Sequence, residues 1–555
     1  MLLTHPVARH FVNADGRQAH LRRAGSGPAV VLLHDTPRSS ESLLDLIQAL
    51  AHACTVVALD LPGYGGSEGL GKTAPSISDY AAATLTVLGA LGITRCVLYG
   101  EGVGGCVAAE IAARAPGLVA AVVVCGARAR ATPCSEADFA RHNPPLVPAY
   151  DGTHLVRHWA ALRDAYIFSP WWDRRPQTRV YGDVPDADAL NRMLLDVLRA
   201  GPAYADGMRA AGGYDIAGRL AQLGSRAHEV DQGATARHAA ILATLARDIP
   251  PPPPVPARQD RPGRLSRAYV DTPYGQTLMR FREEAPGRPV ILLHASPISG
   301  FTLEGLLDGM AASRPVYALD TIANGESDKP DLAVHPHWAH PSLTHFADWL
   351  IAVIDELGFD QVDLFGSHTG AMIALEAAIR APHRVASLVL DGVVMNTDAE
   401  NADILAGYFP DIRPRWDGAH LLTCWLQQQD VTLWNPWMSR DAAHVSTFPI
   451  ILASQIHEHV TEMLKRGEWH ERCYRPVFEY PTAENLPRLT TRTLFATPQD
   501  DYLEKFSAAA AALARNARSG SAPRSTTFSD RYYAPFVPDA AIAEFYLGFF
   551  NEDAG

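Results

Sequence analysis

The sequence predicts an α/β protein of two similar lobes, each a doubly wound, mostly parallel sheet flanked by helices. Three observations carry that prediction. Short apolar, β-rich runs alternate with longer helical patterns, as parallel strands joined by crossover helices require. The tract Pro250-Pro251-Pro252-Pro253-Pro254-Val255-Pro256 divides the 555 residues nearly in half and favours an extended polyproline linker. The same order of unusual residues is met on both sides of it. Leu33-His34-x-x-Pro37 recurs as Leu293-His294-x-x-Pro297, and Ala58-Leu59-Asp60 as Ala318-Leu319-Asp320, each 260 positions on. From Gly104 and Gly370 onward the offset is 266, which puts six inserted residues in the second half, within Val334 to Pro341. Asp151-Gly152-x-His154-Leu155 and Trp159 then match Asp417-Gly418-x-His420-Leu421 and Trp425 at that offset. A period this long is a tandem duplication and not a solenoid.

Each half opens on a hairpin: Arg9 to Arg23 around Asp15-Gly16, and Arg267 to Glu283 around Gly275. The continuous apolar runs Ala29 to Leu33 and Val290 to Leu293 have the pattern of strands covered on both faces. Strands Thr55 to Leu59 and Pro315 to Leu319 follow, and Ser76 and Ser342 mark helix starts. A strand from Gln361 to Phe365 runs into Gly366-Ser367-His368-Thr369-Gly370 and a helix from Ala371 to Arg380. The equivalent turn of the first half is Gly100-Glu101-Gly102-Val103-Gly104. After that point the halves diverge. The first offers only Ser225 to Ile249, read as a helix from Gly233 to Arg247, so it is expected to lack its last strands. The second keeps a strand at Arg492 to Ala496 followed by Asp500 and Asp501, and a closing helix from Pro538 to Phe550. The expected domains are 1–249, a proline-rich linker 250–264, and 265–555 with a helical lid at about 397–485.

The strand, glycine-bracketed turn and helix around His368 resemble the nucleophile elbow of the α/β-hydrolase superfamily, which reads G-x-S-x-G. The resemblance implies two hydrolase-like lobes, the first truncated at its C-terminal end, and departs from the family where chemistry is concerned. The elbow residue is Gly102 in one half and His368 in the other, so neither offers the serine, cysteine or aspartate the family uses. An imidazole there can serve as base or acid. Its acid partner, by analogy, is Asp501, or Asp500 beside it, after the late strand, or Asp391 after the strand Ser387 to Leu390, with Asp391 as a mere turn cap the competing reading. The family's distal histidine belongs near Arg531-Tyr532-Tyr533, yet no histidine follows His470; Tyr532 is the candidate donor in its place. His294-Ala295-Ser296-Pro297 resembles the H-G-x-P oxyanion turn, which implies a structural His294 and an anion hole at Ala295, Ser296 and Thr369. His420 and Trp425 are candidates for the substrate pocket, although their twins in the first half favour packing.

A net charge of -13 argues against nucleic-acid or anionic-membrane partners. The seven cysteines are odd in number and scattered, so neither a disulfide framework nor a metal site is expected. No basic n-region with an apolar h-region opens the chain and no apolar run of about 18 residues occurs, which leads to the expectation of a cytoplasmic protein. A small-molecule substrate and no cofactor are expected; the oligomeric state is open. Two functions remain. One is an enzyme working through the second lobe, cleaving an ester, thioester or carbon-carbon bond or acting as a base-catalysed lyase or isomerase. The other is a silent pseudo-hydrolase that binds a ligand or scaffolds a complex.

Overall fold

The computed structural model describes residues 5–132, 134–233, 235–256, 258–445, 452–498, 501–522 and 540–552. The chain divides into two units, Met1–Val147 with Arg157–Gln259, and Asp260–Gly555 with Pro148–Val156.

The first unit contains β1 (Ala8–Ala14), β2 (Arg17–Ala24), β3 (Ala29–Leu33), β4 (Thr55–Leu59), β5 (Cys96–Glu101), β6 (Val119–Cys125) and β7 (Ala227–Val230), ordered β1-β2-β4-β3-β5-β6-β7. The hairpin β1–β2 closes through Asp15 and Gly16, both at positive φ, the turn that the Asp-Gly pair favours. From β4 onward every pairing is parallel. The second unit repeats the plan with β8 (Ser266–Thr272), β9 (Gly275–Arg282), β10 (Val290–Leu293), β11 (Val316–Leu319), β12 (Val362–Ser367), β13 (Val385–Asp391), β14 (Arg492–Pro498) and β15 (Ala517–Ala522), ordered β15-β14-β13-β12-β10-β11-β9-β8.

The truncation of the first lobe is real but shorter than the sequence suggests. Ser225 to Ile249 holds a strand as well as a helix: β7 pairs with β6 before the helix Thr235–Ala246 begins. What has no counterpart, among the described residues, is β15. Strand β7 escaped notice because it is four residues long, reads Ala-His-Glu-Val, and lies at a partly exposed sheet edge; it lacks the apolar run that betrays a central strand.

Central strands are placed by burial. Residues of β10 and β12 are fully covered, and the helix Thr369–Arg380 behind β12 buries ten of its twelve side chains. Each large aliphatic group so covered contributes about 1.5–3 kcal/mol, which fixes β12 at the centre of its sheet and its C-terminal end in one place. The insertion within Val334 to Pro341 forms a short 3-10 helix, Pro336–Ala339, whose Trp338 packs edge-on against Phe346 at 5.0 Å between ring centroids. Among the described residues no helix is long and apolar enough to cross a membrane.

Candidate active site

Where β12 ends, the chain turns sharply into the helix Thr369–Arg380, and His368 stands at the turn with φ 49° and ψ -108°. A non-glycine residue in that region is strained, and it persists only because its surroundings over-determine it. Glycines make the turn possible. A Cβ on Gly366 would meet the Gly370 carbonyl at 2.3 Å, and one on Gly370 would meet the Leu293 carbonyl at 2.3 Å. The His368 amide donates to the Asp391 carbonyl at 2.8 Å, tying the elbow to β13.

The imidazole is held by an acid. His368 Nε2 lies 2.8 Å from Asp501 Oδ2, and Asp501 Oδ1 accepts the Leu503 amide at 2.9 Å. The carboxylate side chain is 1% exposed and the histidine side chain 21%. A carboxylate only accepts, so Nε2 carries the proton and Nδ1 carries the basic lone pair. Gly392 keeps the ring's space open: a Cβ there would stand 2.5 Å from His368 Cδ2.

His368 and Asp501 border a cavity of about 420 Å³ that Ala295, Ser296, Trp434 and Trp437 also line. The Ala295–Ser296 turn borders the cavity, and its Ser296 amide donates to Thr369 Oγ1 at 3.3 Å. His294 is structural, as the resemblance implies: Nδ1 faces the Ala295 carbonyl at 2.7 Å, Nε2 accepts the Thr321 amide at 3.0 Å, and burial holds its pKa down at about 4.

A family model described as alpha/beta hydrolase fold matches residues 28–153 and again 288–422, once in each half. The chain belongs to the α/β-hydrolase superfamily. It is 32% identical over 132 residues to a 2-hydroxy-6-oxo-2,4-heptadienoate hydrolase of Pseudomonas putida, an alignment covering 23% of this chain and 45% of that protein. It is 30% identical over 115 residues to a haloalkane dehalogenase of Mycolicibacterium paratuberculosis, covering 20% and 36%. The chain thus spans less than half the length of these curated relatives. Among solved structures, an enol-lactonase of Burkholderia xenovorans is similar over 51% of this chain and all of its own, at 13% identity and a TM-score of 0.38.

Of the remaining candidates, Asp391 ends β13 buried beside the elbow and meets His368 through its backbone carbonyl; the carboxylate at the ring belongs to Asp501. Thr369 opens the elbow helix and covers the Ser296 amide. His420 and Trp425 are fully buried and do not border the cavity. His420 Nδ1 accepts the Arg415 amide at 3.1 Å, and burial pushes its pKa to about 4. Trp425 donates to the Tyr150 carbonyl at 2.8 Å and packs against Gly152. His154, the twin of His420, accepts the Ala149 amide at 3.1 Å in the same way, which accounts for the repetition of that histidine. Tyr532 and Asp500 lie outside the described residues. Sequence reasoning missed His470, which borders the cavity, and Arg466 beside it. Their signal was a lysine-arginine-glycine helix end, which carries no chemistry on its own.

The elbow of the first hydrolase lobe is filled from within. Gly102 adopts φ 51°, and the Asp35 carboxylate lies over it, its Oδ1 accepting the amides of Thr36 and Val103, each at 2.9 Å. Those amides are the donors that an oxyanion would need. A late histidine does exist in this lobe. His238 Nδ1 faces the Tyr99 hydroxyl at 3.2 Å and Nε2 the Asp231 carbonyl at 2.9 Å, while the Tyr99 hydroxyl donates to Glu101 at 2.8 Å. Burial raises the pKa of Glu101. With the hole closed and no side chain on Gly102, Glu101→Ala and Asp35→Ala are each expected to keep turnover within a few-fold of wild type. Loss of turnover in either folded variant, measured by steady-state kinetics, would move the active site to this lobe.

Proposed function

We propose that the second lobe is the catalytic one and that His368, oriented by Asp501, is its general acid-base, acting on a small organic substrate in the 420 Å³ cavity. The observation that carries this is the 2.8 Å contact between His368 Nε2 and a buried carboxylate at the strained elbow. Asp501 fixes the tautomer and stabilises the imidazolium formed when Nδ1 takes a proton, from a carbon acid or from a water that attacks the substrate. Charge then moves without an acyl-serine, and the products are those of ester, thioester or carbon-carbon cleavage, or of isomerisation. Relatives named as a dienoate hydrolase and a haloalkane dehalogenase support a small organic substrate. The second reading, a silent binding lobe, is favoured by one observation only: the Ser296 amide is already taken by Thr369.

A fluorophosphonate captures serines activated by an adjacent base. The proposal requires that it leave the protein unlabelled at concentrations that label serine hydrolases completely. Labelling at Ser296 or Ser367, mapped by peptide mass spectrometry, would restore an acyl-serine route and sink the proposal.

A further inference from the structure

Arg466 is a buried cation that the mechanism does not use. Arg466 ends the helix Ala453–Arg466 and is 1% exposed. Its guanidinium donates to Ser296 Oγ and faces His470 Nδ1, each at 3.4 Å. Nε finds no acceptor, and no carboxylate forms an ion pair with Arg466 among the described residues. Glu462, one turn earlier, is bound to Lys465 at 2.6 Å. Burial pulls the arginine pKa down, yet a guanidinium does not lose its proton in a protein. A buried charge compensated only in part, here by Cys473 and the neighbouring Glu462, is costly, and an anionic ligand would offset the rest.

Of the groups that Arg466 touches, Ser296 and His470 are on the cavity wall, and Cys473, its other hydrogen-bond partner, is not. Burial and the neighbouring arginine push His470 to about 3, so it is neutral. With Nδ1 turned to Arg466, the proton sits on Nε2, and that buried nitrogen has no hydrogen-bond partner among the described residues. The Ser296 hydroxyl, accepting from Arg466, has its own proton to give. Ser296 and His470, with the Arg466 cation behind them, border the same cavity. Three acids also border it, with Lys505: Asp501 is committed to His368, Glu400 to the amide and hydroxyl of Thr397 at 2.7 and 2.9 Å, and Asp403 is the third.

We propose that the Ser296–His470 wall of the cavity, backed by Arg466, binds a carboxylate, so that the substrate of the His368–Asp501 site is a small organic acid. This rests on reading the cavity as the substrate site, and the test separates the two. Phenylacetate and its neutral isostere phenylacetamide are titrated into the full-length protein, with quenching of tryptophan fluorescence, to which Trp434 and Trp437 of the cavity wall contribute, as the readout. Wild type is expected to bind phenylacetate about tenfold or more tighter than the amide, the preference expected of hydrogen bonds to a charged group. His368→Ala keeps that preference while losing turnover. Arg466→Met abolishes it without lowering the melting temperature, Arg466→Lys retains part of it, and Ser296→Ala, a milder change, reduces it several-fold. Equal affinities in wild type, no saturable binding of phenylacetate, or a preference that survives Arg466→Met would each overturn the assignment. Loss of the preference in His368→Ala would show that the dyad binds the anion and that Arg466 does not.

Discussion

Turnover by the His368→Ala protein is expected to fall by about 100-fold or more, the usual consequence of removing a general acid or base, equivalent to about 2.7 kcal/mol of barrier. The loss should be chemical and not structural. Alanine at this position inherits the φ of 49° that histidine already tolerates, so the substitution adds no new backbone strain. Asp501 loses one partner but keeps the Leu503 amide on Oδ1, which limits the cost of leaving that buried carboxylate short of a donor to about 1–3 kcal/mol. Far-ultraviolet circular dichroism should therefore be unchanged and the melting temperature only modestly lower. Asp501→Asn is the matched control. An amide can hand Nε2 a donor in place of an acceptor, which moves the imidazole proton to Nδ1 and removes the base. The two variants should be impaired to a similar degree, and the double variant little worse than either, because the pair acts as a unit. His368→Ser should not recover activity, since no histidine would stand between Asp501 and the new hydroxyl. Wild-type kcat in the His368→Ala protein would remove the catalytic role altogether.

How far this site could be read from sequence depends on how local each contact is. The elbow was legible because the glycines, the apolar strand and the helix are adjacent in the chain, and the steric demand for glycine at Gly366 and Gly370 is made by the turn itself and by the neighbouring strand. Asp501 was legible as one of two acids, since both follow strands that a parallel sheet must bring to the same edge. Choosing between them was not possible: Asp391 meets His368 through its carbonyl at the main-chain amide and Asp501 through its carboxylate at the ring, and that depends on loop paths after β13 and β14. Arg466 reaches Ser296 across 170 residues, a contact with no periodicity to announce it. His420 and Trp425 could be read as pocket or as packing, with their twins favouring packing, because a histidine closing a loop and a tryptophan covering a glycine turn are as unusual in sequence as substrate ligands. The Asp35 plug was half visible. Its charge beside the hole could be read, but not that Oδ1 would take both amides.

That plug sets the last expected result. Serine in place of Gly102, the change that would write a family-like elbow into the first lobe, should destabilise the protein by about 2–4 kcal/mol, the sum of an overpacking cost and a non-glycine residue at positive φ. A Cβ on Gly102 would stand 2.1 Å from Asp35 Oδ1 and 2.2 Å from its Cγ, which no rotamer of serine can avoid because the clash precedes χ1. The carboxylate must leave, and with it go the two charge-assisted hydrogen bonds from Thr36 and Val103, worth about 1.5–3 kcal/mol each when the acceptor is ionised. Part is recovered as the freed carboxylate and amides hydrate. In a lobe of this size the melting temperature of its transition should drop by about 5–12 °C. The second-site change discriminates between causes. If overlap with the carboxylate dominates, Asp35→Gly combined with Gly102→Ser should melt close to Asp35→Gly alone, leaving only about 1 kcal/mol for the φ of 51°. If backbone strain dominates, Asp35→Gly will rescue nothing, and the first lobe's elbow owes its glycine to conformation and not to the aspartate that now sits where a nucleophile would be.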